Sequence, residues 1–550
     1  MEDKIIVEIE GIGNVVTSVD KTIYDLMKEQ NLENEVIAVI IDNDITELST
    51  KLKIDTKMKL IKIKDRMGAK IYRSGLKFLY ITAVKELFGR NTNVELLHHS
   101  LDKGIYTRIN LELNNTMVDE IKAKMHELVK EDIRITRVVT SRKEAISYFN
   151  SVKEYEKSLT YKQMTGEMLT LYSMLDYYNY FYTKMPYSTK ILTSFDLTLT
   201  TDKGVMLEYP STFDMKIPEY THMPQVLNVF DNYAVWAEKL GVKYVSEVNN
   251  VVINGKIKEF IELNEIKQNN DLLEIANKIQ NNINDIKIVL IAGPSSSGKT
   301  TTCKKLALYL KSKGLNPFTL STDDFFKDRK DTPKNEKGEY EYDIPEAIDI
   351  DLFNEKLDAL LKGEETTLPT YNFLTGEKEY KHPPVSLKNR DLLIVEGIHT
   401  LNELLTSKIP RENKLKIYIS PFTPLGLDRH NHVSTVDLRL IRRIVRDART
   451  RGYNAVDTLK SWRNVRISEE KYIFPYQKEA DIVLNTALIY ELGILKTFAV
   501  PLLYNINYKS EYYTEAKRII NFLKIFLNIP ESALPETALL REFVGGGYFE

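Results

Sequence analysis

Apolar and polar positions run in short, distinct patterns at the start of the chain. "KIIVEIEG" and "VIAVIIDN" are rich in β-branched residues and predict strands. "TIYDLMKEQ" between them has helical spacing, and "MKLIKIK" predicts a closing strand, so residues 1–64 read as a small α+β unit. Residues 65–155 alternate again. "RSGLKFLYITAVKELFG" predicts a helix ended by Gly89, and "VELLHHSLDKGIYTRINLEL" predicts strands around a turn at 102–104. "TMVDEIKAKMHELVKED" predicts an amphipathic helix. Residues 156–283 carry the tyrosine-rich "MLDYYNYFYTKMPYSTKILTSFDL" and a charged helical run ending near "DLLEIANKIQNNIND". From residue 286 the order becomes strand, glycine loop, helix, strand, helix, which predicts a parallel α/β sheet. The expected fold class is therefore multidomain, α+β followed by α/β. Residues 156–283 form a connecting α+β region, 284–510 the α/β domain and 511–550 a C-terminal helix and tail.

Composition narrows this only slightly. The chain has 550 residues, 43% hydrophobic and 28% charged, with a formal net charge of −2. That balance gives no bulk pull toward nucleic acid or membranes. The start has no basic end followed by an apolar core, and no apolar run approaches the about 18–20 residues of a membrane span. A cytoplasmic protein is expected. A single cysteine, Cys303, excludes an intrachain disulfide and any multi-cysteine zinc site. It sits one turn into a helix and is expected to be a packed small residue.

The strongest chemical signal is "IKIVLIAGPSSSGKTT". A continuous apolar strand leads into Gly293-Pro294-Ser295-Ser296-Ser297-Gly298-Lys299-Thr300, followed by Thr301 and a helix. This matches G-x-x-x-x-G-K-[ST] in its strand-before, helix-after setting. Glycines at 293 and 298 let backbone N–H groups turn inward around phosphate oxygens. The helix that follows adds its positive end. Lys299 would bridge the outer phosphates and Thr300 would hold Mg²⁺.

Carboxylates should come from other strand ends. "NPFTLSTDDFF" runs into Asp323 and Asp324, and "RDLLIVEGI" ends in Glu396. Either place could orient Mg²⁺ or accept a proton from an attacking hydroxyl. In "VDLRLIRRIVRDARTRG", Arg439, Arg442, Arg443 and Arg446 fall at i, i+3, i+4 and i+7. They share one helical face, where like charges repel. An anion between them would relieve that repulsion, as in a phosphate-clamping lid.

These residues carry a resemblance. Residues from about 286 to 510 resemble the uridine kinase and phosphoribulokinase family. Its D-x-F-Y element stands here as Asp323-Asp324-Phe325-Phe326, and Y/F-D-x-P as Tyr342-Asp343-Ile344-Pro345. P-x-Y-D-F stands as Pro369-Thr370-Tyr371-Asn372-Phe373, and E-G-I as Glu396-Gly397-Ile398. The arginine lid stands as Arg439 through Asp447. The resemblance implies an ATP- and Mg²⁺-dependent kinase of a nucleoside 5′-hydroxyl. Asp323 would be the base. Lys299, Arg443 and Arg446 would neutralise the phosphoryl group, and Thr300, Asp323 and Glu396 would orient the metal. Gly293, Ser295, Ser296, Ser297, Gly298, Lys299, Thr300, Thr301 and Arg451 would hold ATP. Asp343, Tyr371, Phe373 and Arg443 would hold the acceptor. Two departures thin the base-reading set: Gly376 stands where uridine kinases have a histidine, and Arg451-Gly452-Tyr453 replaces R-G-R. A kinase of another hydroxylated metabolite, such as a sugar phosphate, is the alternative.

Residues 1–64 resemble a TGS domain, the β-grasp module at the front of threonyl-tRNA synthetases. Residues 65–155 resemble the second additional domain of those enzymes. The family's H-x-x-x-H pair stands here as Arg73-Ser74-Gly75-Leu76-Lys77, so the resemblance implies a scaffold without editing activity. His98 and His99 in a strand would face opposite sides. The front half leaves open an ATP-binding, RNA-linked regulatory role, RNA binding and a homo-oligomer. The run Tyr177, Tyr178, Tyr180, Phe181, Tyr182 is expected to pack between domains.

Overall fold

The structure, a computed structural model, describes residues 4–100, 104–210, 216–217, 224–335, 338–388 and 391–549. The side chains of His98 and His99 and positions 102 and 103 of the expected turn lie outside the described residues.

Strict alternation in Lys4–Ile9 buries every second residue and makes it one strand of a five-stranded sheet. The order is Gly13–Ser18, Lys4–Ile9, Thr56–Lys62, Val36–Ile41, Asp44–Glu47, with the first and last β-branched runs joined through Thr56–Lys62. The helix Ile23–Glu29 closes the face with Ile23, Leu26 and Met27. It starts where Thr22 and Asp25 cap each other.

The long helix Arg66–Phe88 is apolar on most sides, and it is buried accordingly. It stops at Gly89, whose φ of 96° suits a residue without Cβ. Two antiparallel sheets pack beside it. One runs Asp196–Leu199, Val205–Glu208, Gly104–Ile109, Val94–Ser100; the other runs Tyr177–Asn179, Met168–Met174, Thr136–Ser141. Strands from beyond residue 155 thus complete both sheets. The tyrosine run packs inward at Tyr177 and Phe181, while Tyr178 stays exposed.

Helices Pro224–Lys239, Val245–Ile253 and Ile257–Asn281 lead into the C-terminal sheet. Its order is Asn316–Ser321, Asp391–Gly397, Ile288–Ala292, Lys414–Ser420, Ile482–Asn485, and every pair is parallel. The strand Ile288–Ala292 lies second from neither edge but at the centre, covered on both faces, which its unbroken apolar run requires. Cys303 packs into one of these faces, and burial pushes its thiol well up.

The front half grips the back half through buried charge. Lys157 Nζ bonds Glu154 at 2.7 Å, Asn179 at 2.6 Å and His430 Nδ1 at 2.6 Å. Lys85 also reaches Glu154, at 2.8 Å. Arg429 forks onto Glu156 at 2.6 and 2.8 Å and donates to Asn93 at 2.8 Å. His430 and Arg429 belong to the turn just before the helix Thr435–Thr450. On that helix Asp437 pairs with Arg518 of the helix Tyr513–Leu523, where Glu515 also takes Lys70 and Arg518. Arg73 lies over the Tyr209 ring at 4.2 Å. Burial draws the Lys77 amine down to about 8; Arg73 adds to this and Asp428 opposes it. The H-x-x-x-H positions are thus occupied by cations, Arg73 against Tyr209 of the front half and Lys77 in the field of Asp428.

Candidate active site

The phosphate loop turns at two residues with left-handed backbone, Ser296 at φ 59° and Gly298 at φ 89°. Gly298 then caps the helix Lys299–Ser312, so that helix begins at the loop. Gly293 has a different reason to be glycine: a Cβ there would be driven into the backbone oxygen of Ile419 on the neighbouring strand. Gly293→Ala is expected to displace the loop and weaken ATP binding by at least about tenfold, roughly the 1.4 kcal/mol of a single strained contact. Calorimetric titration with Mg·ATP would measure it, and unchanged affinity would remove the steric argument.

Lys299 reaches back to the Pro294 carbonyl at 3.3 Å. Burial draws its amine down, while Glu396, Asp323 and Glu542 hold it up, so all three carboxylates lie within its field. Glu396, at the end of Asp391–Gly397, accepts from Thr300 Oγ1 at 3.0 Å and Ser321 Oγ at 3.2 Å. Burial pushes its carboxyl up to about 7, against the pull of Lys299. A buried carboxylate short of positive charge beside a hydroxyl fits a divalent cation. Among the described residues no group of three or more His, Cys, Asp or Glu is arranged to hold a metal. A magnesium held beside bound phosphates needs only one or two protein oxygens, the rest coming from phosphates and water.

Asp323 stands in the short 3-10 turn Thr322–Phe325, which starts where Ser321 Oγ accepts from its N–H at 3.3 Å. Gly397 leaves room for Thr322 there. Asp324 takes a different job: its carboxylate accepts from the Tyr371 N–H at 3.3 Å. Asp343 lies close enough to Asp323, Arg443, Glu469 and Arg451 to feel each charge; burial, first, pushes its carboxyl up. Among the described residues none donates a hydrogen bond to that carboxylate. Its backbone oxygen is held by His399 Nε2 at 3.1 Å, and burial draws the His399 imidazole down to about 4, leaving it neutral. Tyr371 is buried and meets Phe326 edge-on at 5.6 Å, whereas Phe373 is half exposed at the mouth. Arg451 stands over Phe373 at 5.5 Å. Repulsion from Arg446, then burial, draws the Arg451 guanidinium down to about 10.

The arginine helix needs a correction. Its face is not waiting for an anion, because most of it is already neutralised. Arg439 is 1% exposed and pairs with Glu469, and Arg442 is fully buried against Glu491 at 2.6 Å. Arg442 also donates to Thr486 O at 2.8 Å, and Arg439 to Ser295 O at 3.1 Å. These two brace the phosphate loop from behind. Arg443 and Arg446 share Asp447, and Arg443 Nη1 touches Ser295 Oγ at 2.8 Å. Only this second pair faces the loop opening. Glu469, Glu491 and Glu542 were missed as loop-shaping residues, and no spacing in the sequence marks them, whereas Asp447 lies at i+4 from Arg443.

The family model of the phosphoribulokinase / uridine kinase family matches residues 288–489. The uridine kinase of Staphylococcus aureus (strain JH9) is 32% identical over 199 residues, 36% of this chain and 86% of that protein. The chain belongs to the phosphoribulokinase/uridine kinase family. Among solved structures, a possible uridine kinase from Bacillus stearothermophilus shares 17% identity over 38% of this chain and 100% of its own, at TM-score 0.25. The D-glycerate 3-kinase from Cryptococcus neoformans var. grubii shares 16% over 46% and 87%, at TM-score 0.23. Family membership makes the domain a phosphotransferase with a hydroxyl acceptor and its phosphate loop an ATP-binding element. Among the described residues no helix is long and apolar enough to cross a membrane.

Proposed function

We propose that the kinase domain phosphorylates the 5′-hydroxyl of a nucleoside, using ATP and Mg²⁺. The observation that carries this reading is the open Asp343 carboxylate, which has no donor among the described residues and lies in the field of Asp323. Two neighbouring sugar hydroxyls are suitable donors for it. Asp323 then accepts the proton of the attacking hydroxyl. Lys299, Arg443 and Arg446 offset the charge on the transferred group, and Thr300, Asp323 and Glu396 orient the metal, which neutralises phosphate charge when bound. Tyr371 and Phe373 line the base side.

A second reading, a sugar-phosphate or similar acceptor, is favoured by Arg329. Gly376 lies against its guanidinium, with Nε 2.7 Å from where a Cβ would stand. Arg329 is further fixed by the Phe373 carbonyl at 2.9 Å. A cation beside the missing base-contact side chain suits an anionic acceptor. Release of ADP across uridine, cytidine, adenosine, guanosine, inosine, thymidine and several sugar phosphates separates the two. Nucleoside turnover supports the first reading. Inert nucleosides with an active phosphorylated polyol replace it by the second.

A further inference from the structure

Two backbone N–H groups of the phosphate loop are occupied by carboxylates. Ser295 N–H donates to Glu469 at 3.1 Å. Glu469 is 1% exposed and is neutralised by Arg439 and by Arg466 at 2.8 Å, so it belongs to the loop's frame. Thr301 N–H donates to Glu542 Oε2 at 3.0 Å. Glu542 stands 241 residues further along the chain, on the short helix Arg541–Val544. Among the described residues no cation pairs with its carboxylate. Its charge acts instead on the reaction centre, supporting the Lys299 ammonium and pushing the Glu396 carboxyl up.

The first-turn N–H groups of a helix have no partner within the helix and favour an anion. In a phosphate loop these donors are the ones offered to phosphate oxygens. A carboxylate and a phosphate oxygen cannot both take the Thr301 N–H, and their like charges repel. The two carboxylates differ in what holds them. Glu469 cannot leave without exposing buried arginines. Glu542 can leave by side-chain rotation alone, because the tail's backbone is fixed independently. Leu540 and Phe543 are fully buried, and Arg449 Nη2 holds the Glu542 carbonyl at 3.0 Å. Lys304 holds the Phe549 carbonyl at 2.6 Å, and the Leu539 methyls press on Gly298, 3.0 Å from where its Cβ would be. Buried Ser297 Oγ and Thr302 Oγ1 flank the same turn without a partner.

We propose that Glu542 is a nucleotide-site residue: its carboxylate stands in for a phosphate on the Thr301 N–H, competes with the incoming triphosphate and sets the affinity for ATP. The C-terminal tail is then a wall of the nucleotide site. The proposal rests on the phosphate loop binding nucleotide and not on the identity of the acceptor.

The test is calorimetric titration of the full chain, its Glu542→Gln variant and its Glu542→Ala variant with Mg·ATP and, separately, with adenosine. Thermal unfolding confirms that each is folded. Both variants are expected to bind Mg·ATP about tenfold or more tightly than the unaltered chain, with adenosine affinity unchanged. Equal or weaker Mg·ATP binding in the variants overturns the proposal, as does an equal gain for adenosine. Tighter Mg·ATP binding without transfer to any nucleoside upholds it while the nucleoside reading fails. No Mg·ATP binding to any of the three proteins overturns it together with the ATP-loop assignment.

Discussion

Asp323→Asn is expected to lower turnover by about 10²- to 10⁴-fold, the range of a lost general base, while the unfolding midpoint stays near that of the unaltered chain. The substitution keeps the shape of the side chain. Its backbone N–H still bonds Ser321 Oγ, so the turn Thr322–Phe325 has no reason to open. What goes is a negative charge that faces Lys299, Glu396 and Asp343 together. The open Asp343 carboxylate nearby is taken by the sugar hydroxyls in the proposed reading, and the other two are held elsewhere. Asp324 is tied to the Tyr371 N–H, and Glu396 to Thr300 and Ser321. Steady-state ADP release with the best acceptor from the substrate panel is the measurement. Full turnover by the folded variant would remove Asp323 from the mechanism.

Glu154→Ala is expected to destabilise the protein by about 3–5 kcal/mol, because it leaves buried charge without its partner. Glu154 is 2% exposed and lies between Lys85 and Lys157, and Lys157 has no exposed surface at all. The neighbouring His430 cannot compensate, since an imidazole carries no negative charge to offer Lys85 and Lys157, and burial holds it in the neutral form. Urea unfolding followed by tryptophan fluorescence would report the loss, and Trp462 is buried beside the arginine helix. A change under about 1 kcal/mol would mean that the clamp does not bind the two halves. Acid gives a second readout. Although burial opposes it, the charges of Lys157 and Lys85 and the hydrogen bond from Lys157 hold the Glu154 carboxyl well below the usual carboxylate range. A depressed carboxyl contributes stability that is present above its unfolded value of about 4.3 and is lost as pH falls toward the folded value. The unaltered chain should therefore lose stability below about pH 4, and Glu154→Gln should flatten that limb.

The phosphate loop was legible because its signals are contiguous. A strand that must be buried on both faces, glycines at the turn and a helix directly after them all lie within residues 288–312. The arginine helix was legible as a helix but not in its electrostatics. Periodicity places Arg439 and Arg442 on one face, yet it is silent on Glu469 and Glu491, which arrive 30 and 49 residues later from other elements. Both arginines consequently read as phosphate ligands when they are braces. Asp343 reads from its motif, whereas the His399 that holds its carbonyl lies 56 residues away and carries no pattern.

The front half shows the same division. Alternation in Lys4–Ile9 and the apolar run before Gly89 specify a strand and a helix, because backbone period and side-chain burial are local matters. Nothing in either pattern assigns Asp196–Leu199 and Val205–Glu208 to a sheet begun at Val94, about a hundred residues earlier. Nor does any pattern bring Lys157 to His430, or Glu542 to the Thr301 N–H. Residue order determined the elements, the phosphate loop and the strand-end carboxylates, each defined by neighbours in the chain. Packing decided which charges are neutralised and which stay free, because a charge's partner is whatever burial brings within a few ångströms, wherever it lies in the chain.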